Sequence, residues 1–266
     1  MPETLQTALY RLLHDRRARD RFLAGRLEHL GLEPSAQAHL RTIDPDELVA
    51  IGGAIGRDLL RGNVEYDGGL RSTFPDLFAQ LERAGHGAAA LVERFVASPQ
   101  YADSRQVPYG PRGISVEEAF FEFLRGDDAL RAAGPHAVDL LTHEFLSGLL
   151  SILVLNRDPS FVVRTALIRH NGAAHYAVQR YPLEFVRTLT QRPVAPDPSG
   201  AALFLYAATP ARFVRGPATP IIAALLEHGR ARPDAVIAAL AGQGVVVTVE
   251  RLAALGEGLA RLGVIA

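Results

Sequence analysis

The chain has 266 residues, of which 48% are hydrophobic, with 28 basic and 29 acidic side chains and no cysteine. That composition excludes a disordered chain, and the missing cysteine excludes disulfides, thiolate metal sites and cysteine nucleophiles. Every basic residue is arginine, so no lysine can form a Schiff base or serve a phosphate loop. The charge is unevenly spread: residues 1–159 carry 17 Arg and 23 acids, residues 160–266 carry 11 Arg and 6 acids. The basic excess at the C-terminal end points to an acidic partner.

Leu5, Leu9, Leu12 and Leu13 fall at helical spacing and predict a first helix over 3–27. The start is amphipathic and charged, which is not the pattern of a secretion signal. Asp44-Pro45-Asp46-Glu47 reads as an N-cap with a first-turn proline and opens a helix over 47–61. Phe74-Pro75 opens another to about 84, and Ala88 to Ala97 makes the next. The Pro- and Gly-rich run 98–113 predicts a long loop. Ser115-Val116-Glu117-Glu118 is a capping box before a helix to Leu124, and a long apolar helix covers 136–155. Its most apolar run, FLSGLLSILVL, is too short to span a bilayer, so a soluble, cytoplasmic chain without a membrane partner is expected.

Past 158 the character changes. Phe161-Val162-Val163 and Ala174 to Tyr181 read as strands, with His170 and His175 flanking an Asn171-Gly172 turn. Pro182 to Val186 reads as a short helix. A Pro-rich connector follows, then LFLYA and ARFVR either side of Thr209-Pro210, then helices over 218–228, 233–241 and 249–262. The expected fold is mainly α: an N-terminal helical domain over 1–158, followed by a small α+β winged-helix-like domain over 159–266.

No constellation makes an enzyme by itself. His136, Asp139 and His143 share a helix face, a spacing that can hold a metal, but no second helix offers complementary ligands, so no metal site is assigned. His14 and His29 read as surface residues. Gly52-Gly53-Ala54-Ile55-Gly56 lies inside a helical pattern and predicts close helix packing, not a dinucleotide loop. Glu117/Glu118 and Asp127/Asp128 sit at helix starts, where acids are expected anyway. No nucleophile elbow or zinc-protease motif is present.

The terminal ribbon and helices fit two uses. DNA binding needs basic or amide side chains on the helix entering the groove, and PDAVIAALAGQG offers almost none, so nucleic acid is not the expected partner. Peptide capture needs an open strand edge beside an apolar groove. The residues assigned to it are Phe204, Tyr206, Arg212, Phe213, Val214 and Arg215 on the ribbon. Leu252, Leu255 and Leu259 on the last helix line the groove, although their spacing is equally that of a core stripe.

The segments 57-RDLLRGNVEYDGGLRSTFPDLFAQLERAG-85, ALVERFVASP (90–99), ISVEEAFFEFL (114–124) and LLTHEFLSGL (140–149) resemble a family of bacterial proteins once described as DNA-binding. Its members are encoded beside multinuclear non-heme iron-dependent oxidative enzymes in methanobactin-like, 3-thiaglutamate-like and bufferin pathways. The resemblance spans most of residues 1–190, carried by Phe74-Pro75 and by Phe120 to Leu124. It implies a non-catalytic partner subunit that binds a ribosomal precursor's leader peptide and forms a heterodimer with the oxidative enzyme. On that reading the iron is the enzyme's, and this chain needs no cofactor. Tyr101, Tyr109 and Arg112 in the 98–113 loop are then the expected enzyme contacts. The alternative is a winged-helix transcription regulator.

Overall fold

The structure is a computed structural model that describes residues 4–62, 68–104, 113–156, 161–197 and 199–266. The chain is mainly helical with one small four-stranded antiparallel sheet. It divides into two compact units, Met1–Val138 and Asp139–Ala266. The break precedes the change of composition at 158, because the long apolar helix packs with the sheet that follows it.

The first unit is all helical. The predicted opening helix is two: α1 (Leu5–His14) and α2 (Arg16–Leu23). Asp15 separates them, its carboxylate accepting from the N–H groups of Arg17 and Ala18 and so starting a new helix. After a 3-10 turn at Glu28–Leu30 come α3 (Pro34–Leu40) and α4 (Pro45–Arg61). As the sequence predicts, α4 has Asp44 as N-cap and proline in its first turn. Then follow α5 (Gly69–Thr73), α6 (Pro75–Arg83), α7 (Ala88–Val96), α8 (Pro99–Ser104), α9 (Val116–Arg125) and α10 (Asp128–Ala132).

Leu12, Leu30, Leu40 and their neighbours form one apolar cluster. Phe74, Phe78, Phe95 and Phe120 form an aromatic one, with the Phe95 ring edge-on to Phe120 at 5.1 Å between centroids. Each such fully buried side chain contributes roughly 1.5–3 kcal/mol. Gly69 permits α5 to meet the end of α4: at φ +53° a Cβ there would lie 2.5 Å from Gly62 N and 2.6 Å from Leu59 O.

In the second unit, α11 (Ala137–Leu155, all but its first two residues) precedes β1 (Arg169–His170), β2 (His175–Tyr181) and α12 (Leu183–Thr190). Then come β3 (Ala202–Ala208), β4 (Phe213–Ala218), α13 (Pro220–His228), α14 (Pro233–Ala241) and α15 (Val249–Arg261). The sheet order is β1-β2-β3-β4. Phe161 to Val163, expected as a strand, form none. The Asn171-Gly172 turn joins β1 to β2, with the Asn171 side-chain oxygen accepting from Ala173 and Ala174 N–H.

Alternation along β3 explains the layers. Phe204 and Tyr206 face α11 and α12, as the contacts of His143 with both rings show. Leu203, Leu205 and Ala207 face the other way, into a cluster with Leu225, Val236, Leu240, Leu252 and Leu259. Helices cover both faces, and every residue of β3 is buried.

Among the described residues α11 alone is long and apolar enough to cross a membrane. His143 and Glu144 in its middle are buried within the protein, so a soluble chain is compatible with this fold.

Candidate functional site

The sheet has two edges, and they differ. At the ribbon turn the Thr209 N–H donates to the Arg212 carbonyl. Antiparallel pairs alternate between bonded and non-bonded, so the ladder bonds fall at Ala207↔Val214, Leu205↔Gly216 and Leu203↔Ala218. The main-chain groups of Phe213, Arg215 and Pro217 therefore point away from the sheet. Proline has no N–H to offer, so Pro217 blunts the outer edge of β4.

At the other edge, Asn171 N–H donates to Ala174 O, and β1 reaches only as far as Arg169↔Tyr176. The same alternation points the N–H and C=O groups of Val178 and Arg180 outward. Among the described residues no backbone group pairs with them. Alongside this open stretch lies a cavity of about 360 Å³, walled by Leu167 and Arg169 on one side and by Ala223 and Glu227 of α13 on the other. Arg169 Nη1 stands 3.3 Å from Glu227 Oε1 across it. Arg180 Nε lies 2.8 Å from Asp197 Oδ2. The Ser199 hydroxyl, donating to Asp197 Oδ1 at 2.6 Å, holds that carboxyl below its usual range.

The residues assigned from sequence are scattered by this geometry. Phe204 and Tyr206 are buried under α11 and α12 and are not open to a peptide, because β3 is a central strand and not half of an exposed ribbon. Leu252 and Leu259 are buried in the core stripe, and Leu255 is partly buried against it. Phe213 and Val214 are half-buried, while Arg212 is exposed. Arg215 is exposed too, yet its Nη1 donates to the Ser147 hydroxyl of α11 at 3.1 Å, so it is part of the fold.

Tyr101 is a correction. The expected loop contains α8, begun by the Ser98 hydroxyl accepting from Tyr101 N–H, and Tyr101 is 1% exposed, packed edge-on against Phe95. It is a core residue of the first unit and not a contact surface. Tyr109 and Arg112 lie outside the described residues, as does the side chain of His29. His14, expected at the surface, is buried. Of the groove residues Val178, Leu167 and Ala223, Val178 alone carries a local signal in the sequence, the period-two run Tyr176, Val178, Arg180.

His143 does not stand open beside Asp139 as a ligand. Its Nδ1 is 2.6 Å from the Tyr206 hydroxyl, which is 3.0 Å from the Tyr181 hydroxyl. Burial, reinforced by the nearby Arg215 cation, lowers the imidazole to about 4. Burial pushes both phenols up. The described residues hold no cluster of three or more metal-ligating side chains.

No protein-family model, curated protein or solved structure matches this chain.

Proposed function

We propose that this chain is a non-catalytic partner subunit that captures the leader of a ribosomally made precursor peptide and presents it to an iron-dependent oxidative enzyme. The observation that carries the reading is the edge of β2 beside α13, unpaired among the described residues. An extended peptide adding there gains main-chain hydrogen bonds from Val178 and Arg180 whatever its sequence, while the groove toward Ala223 selects its side chains.

The enzyme class and the heterodimer rest on the resemblance carried by residues 57–149. On this reading the iron is held by the partner, this chain carries no cofactor, and the complex works in the cytoplasm. The winged-helix likeness of β3, β4 and α13–α15 belongs to the same reading, as a peptide-recognition module. Used for DNA, it would need basic or amide side chains on α14, whose sequence PDAVIAALA has none.

The test is fluorescence anisotropy with the labelled leader of the precursor encoded beside this chain, together with a pull-down of the neighbouring iron enzyme and a gel shift on its promoter. Saturable leader binding, reduced at least tenfold by Ala223→Arg and little changed by Arg212→Glu, supports capture at β2. Loss in Arg212→Glu with a folded, unaffected Ala223→Arg moves capture to β4. A promoter shift without leader binding makes the chain a transcription regulator.

A further inference from the structure

The first unit contains a cavity that the peptide-capture reading does not use. It measures about 320 Å³ and lies where the corner between α1 and α2 meets α4 and α7. Its floor is a stretch of α4 with no side chains, Gly52, Gly53 and Gly56. Three glycines inside one helix cost roughly 1 kcal/mol each relative to alanine, so helix formation alone does not favour them.

Gly52 is explained: a Cβ there would lie 2.2 Å from Arg19 Nη1, whose guanidinium crosses that point to bond the carbonyls of Leu12 and Leu13. Gly53 is explained in part, since a Cβ would come within 3.1 Å of Arg57 Nη1, which is folded back along the helix. Gly56 has nothing within 4 Å of where its Cβ would be, and it faces the cavity.

The walls combine apolar and cationic groups. Leu13, Leu60 and Val96 supply apolar surface, and four arginines, Arg16, Arg19, Arg57 and Arg61, line the space against the single carboxylate of Glu93. Glu93 is bonded to Arg16, at 3.1 Å. Arg19 is committed to the end of α1. That leaves Arg57 and Arg61, one turn apart on α4, which among the described residues make no ion pair.

We propose that this cavity is a binding site for a small carboxylate with an apolar body, the carboxylate held by Arg57 and Arg61 and the body seated over Gly56 against Leu60 and Val96. A guanidinium fork matches a carboxylate two bonds at a time, and a pocket with apolar walls and few convergent polar groups is the usual form of a small-molecule site. A bare inorganic anion would leave the apolar walls unused; an uncharged apolar molecule would make no use of the two exposed guanidinium forks at the rim.

The experiment is titration calorimetry of the full chain with octanoate, octanol and inorganic phosphate. Octanoate is expected to bind at one per chain, octanol at least tenfold more weakly, and phosphate without measurable heat. Gly56→Leu fills the floor with a residue that favours helix, so it should abolish octanoate binding while keeping or raising the melting temperature. Arg57→Gln with Arg61→Gln should reduce octanoate to the affinity of octanol. Octanoate binding unchanged in folded Gly56→Leu, octanol binding as tightly as octanoate, phosphate competing for the site, or no heat from octanoate overturns the proposal. Leader-peptide binding is read separately, so either result stands without the other.

Discussion

His143 on α11 and Tyr206 on β3 are 63 residues apart in sequence and 2.6 Å apart at Nδ1 and the phenolic oxygen. The Tyr206 hydroxyl also meets Tyr181 on β2, so one oxygen links a helix to two strands. A buried polar group is worth little net when bonded and costs its full desolvation when abandoned. The arrangement therefore fixes how α11 lies on the sheet.

Tyr206→Phe removes that oxygen and leaves both His143 Nδ1 and the Tyr181 hydroxyl short of a partner. The expected loss is about 1–3 kcal/mol of stability with the fold retained, measured by urea unfolding. Tyr181→Phe, at the end of the chain of bonds, should cost less. Equal and negligible costs for the two variants would show that the contact contributes nothing.

The same histidine sets an acid dependence. Its folded pKa is about 4, lowered first by burial and then by Arg215, against about 6.5 in the unfolded chain. The unfolded state thus binds the proton more readily. The neutral histidine's contribution is complete above pH ~6.5 and is lost progressively as pH falls toward ~4, a loss on the order of 2–3 kcal/mol. His143→Leu, which cannot titrate, should flatten this part of the stability profile.

Arg215 acts on His143 through space and is held at Ser147. Arg215→Gln removes the cation, so the imidazole should titrate at a higher pH than in the native chain. Proton NMR of the histidine ring reads this directly; a downward movement contradicts the stated cause.

Gly69→Ala tests the close approach of α5 to α4. The new Cβ would overlap Gly62 N and Leu59 O, which are main-chain atoms and cannot rotate away. Destabilisation beyond about 2 kcal/mol is expected, from overlap and from the left-handed φ together. Gly85→Ala, equally left-handed at φ +89° but with nothing within 4 Å, separates the two causes and should cost less.

Much of the fold is written locally. Asp44-Pro45 and Ser115 cap the helices that they predict, the helix expected over 218–228 forms as α13, and the Thr209-Pro210 ribbon pairs in the expected place. Ser98-Pro99 carries a similar signal inside a stretch whose Pro and Gly content reads as loop, so the sequence places Tyr101 at the surface while α8 buries it. The candidate site was harder to read. Whether β4 or β2 offers a free edge depends on the sheet order, and β1, at two residues, is too short to show a period. Likewise nothing near His143 in the sequence announces Tyr206. The burial of Phe204 follows from α11 and α12 lying over that face of the sheet, which no local pattern encodes.

Pro217 has a consequence for how the chain survives in solution. An unpaired strand is a template for any other strand, including that of a second copy. The proline makes the β4 side of the sheet a poor template, while Val178 and Arg180 leave the β2 side adhesive. The sheet is thus defended against runaway stacking in one direction only. A second copy pairing through the same β2 edge leaves only the two proline-bearing β4 edges outside, so growth stops at the pair, and the chain should keep longest at high concentration when that place is filled.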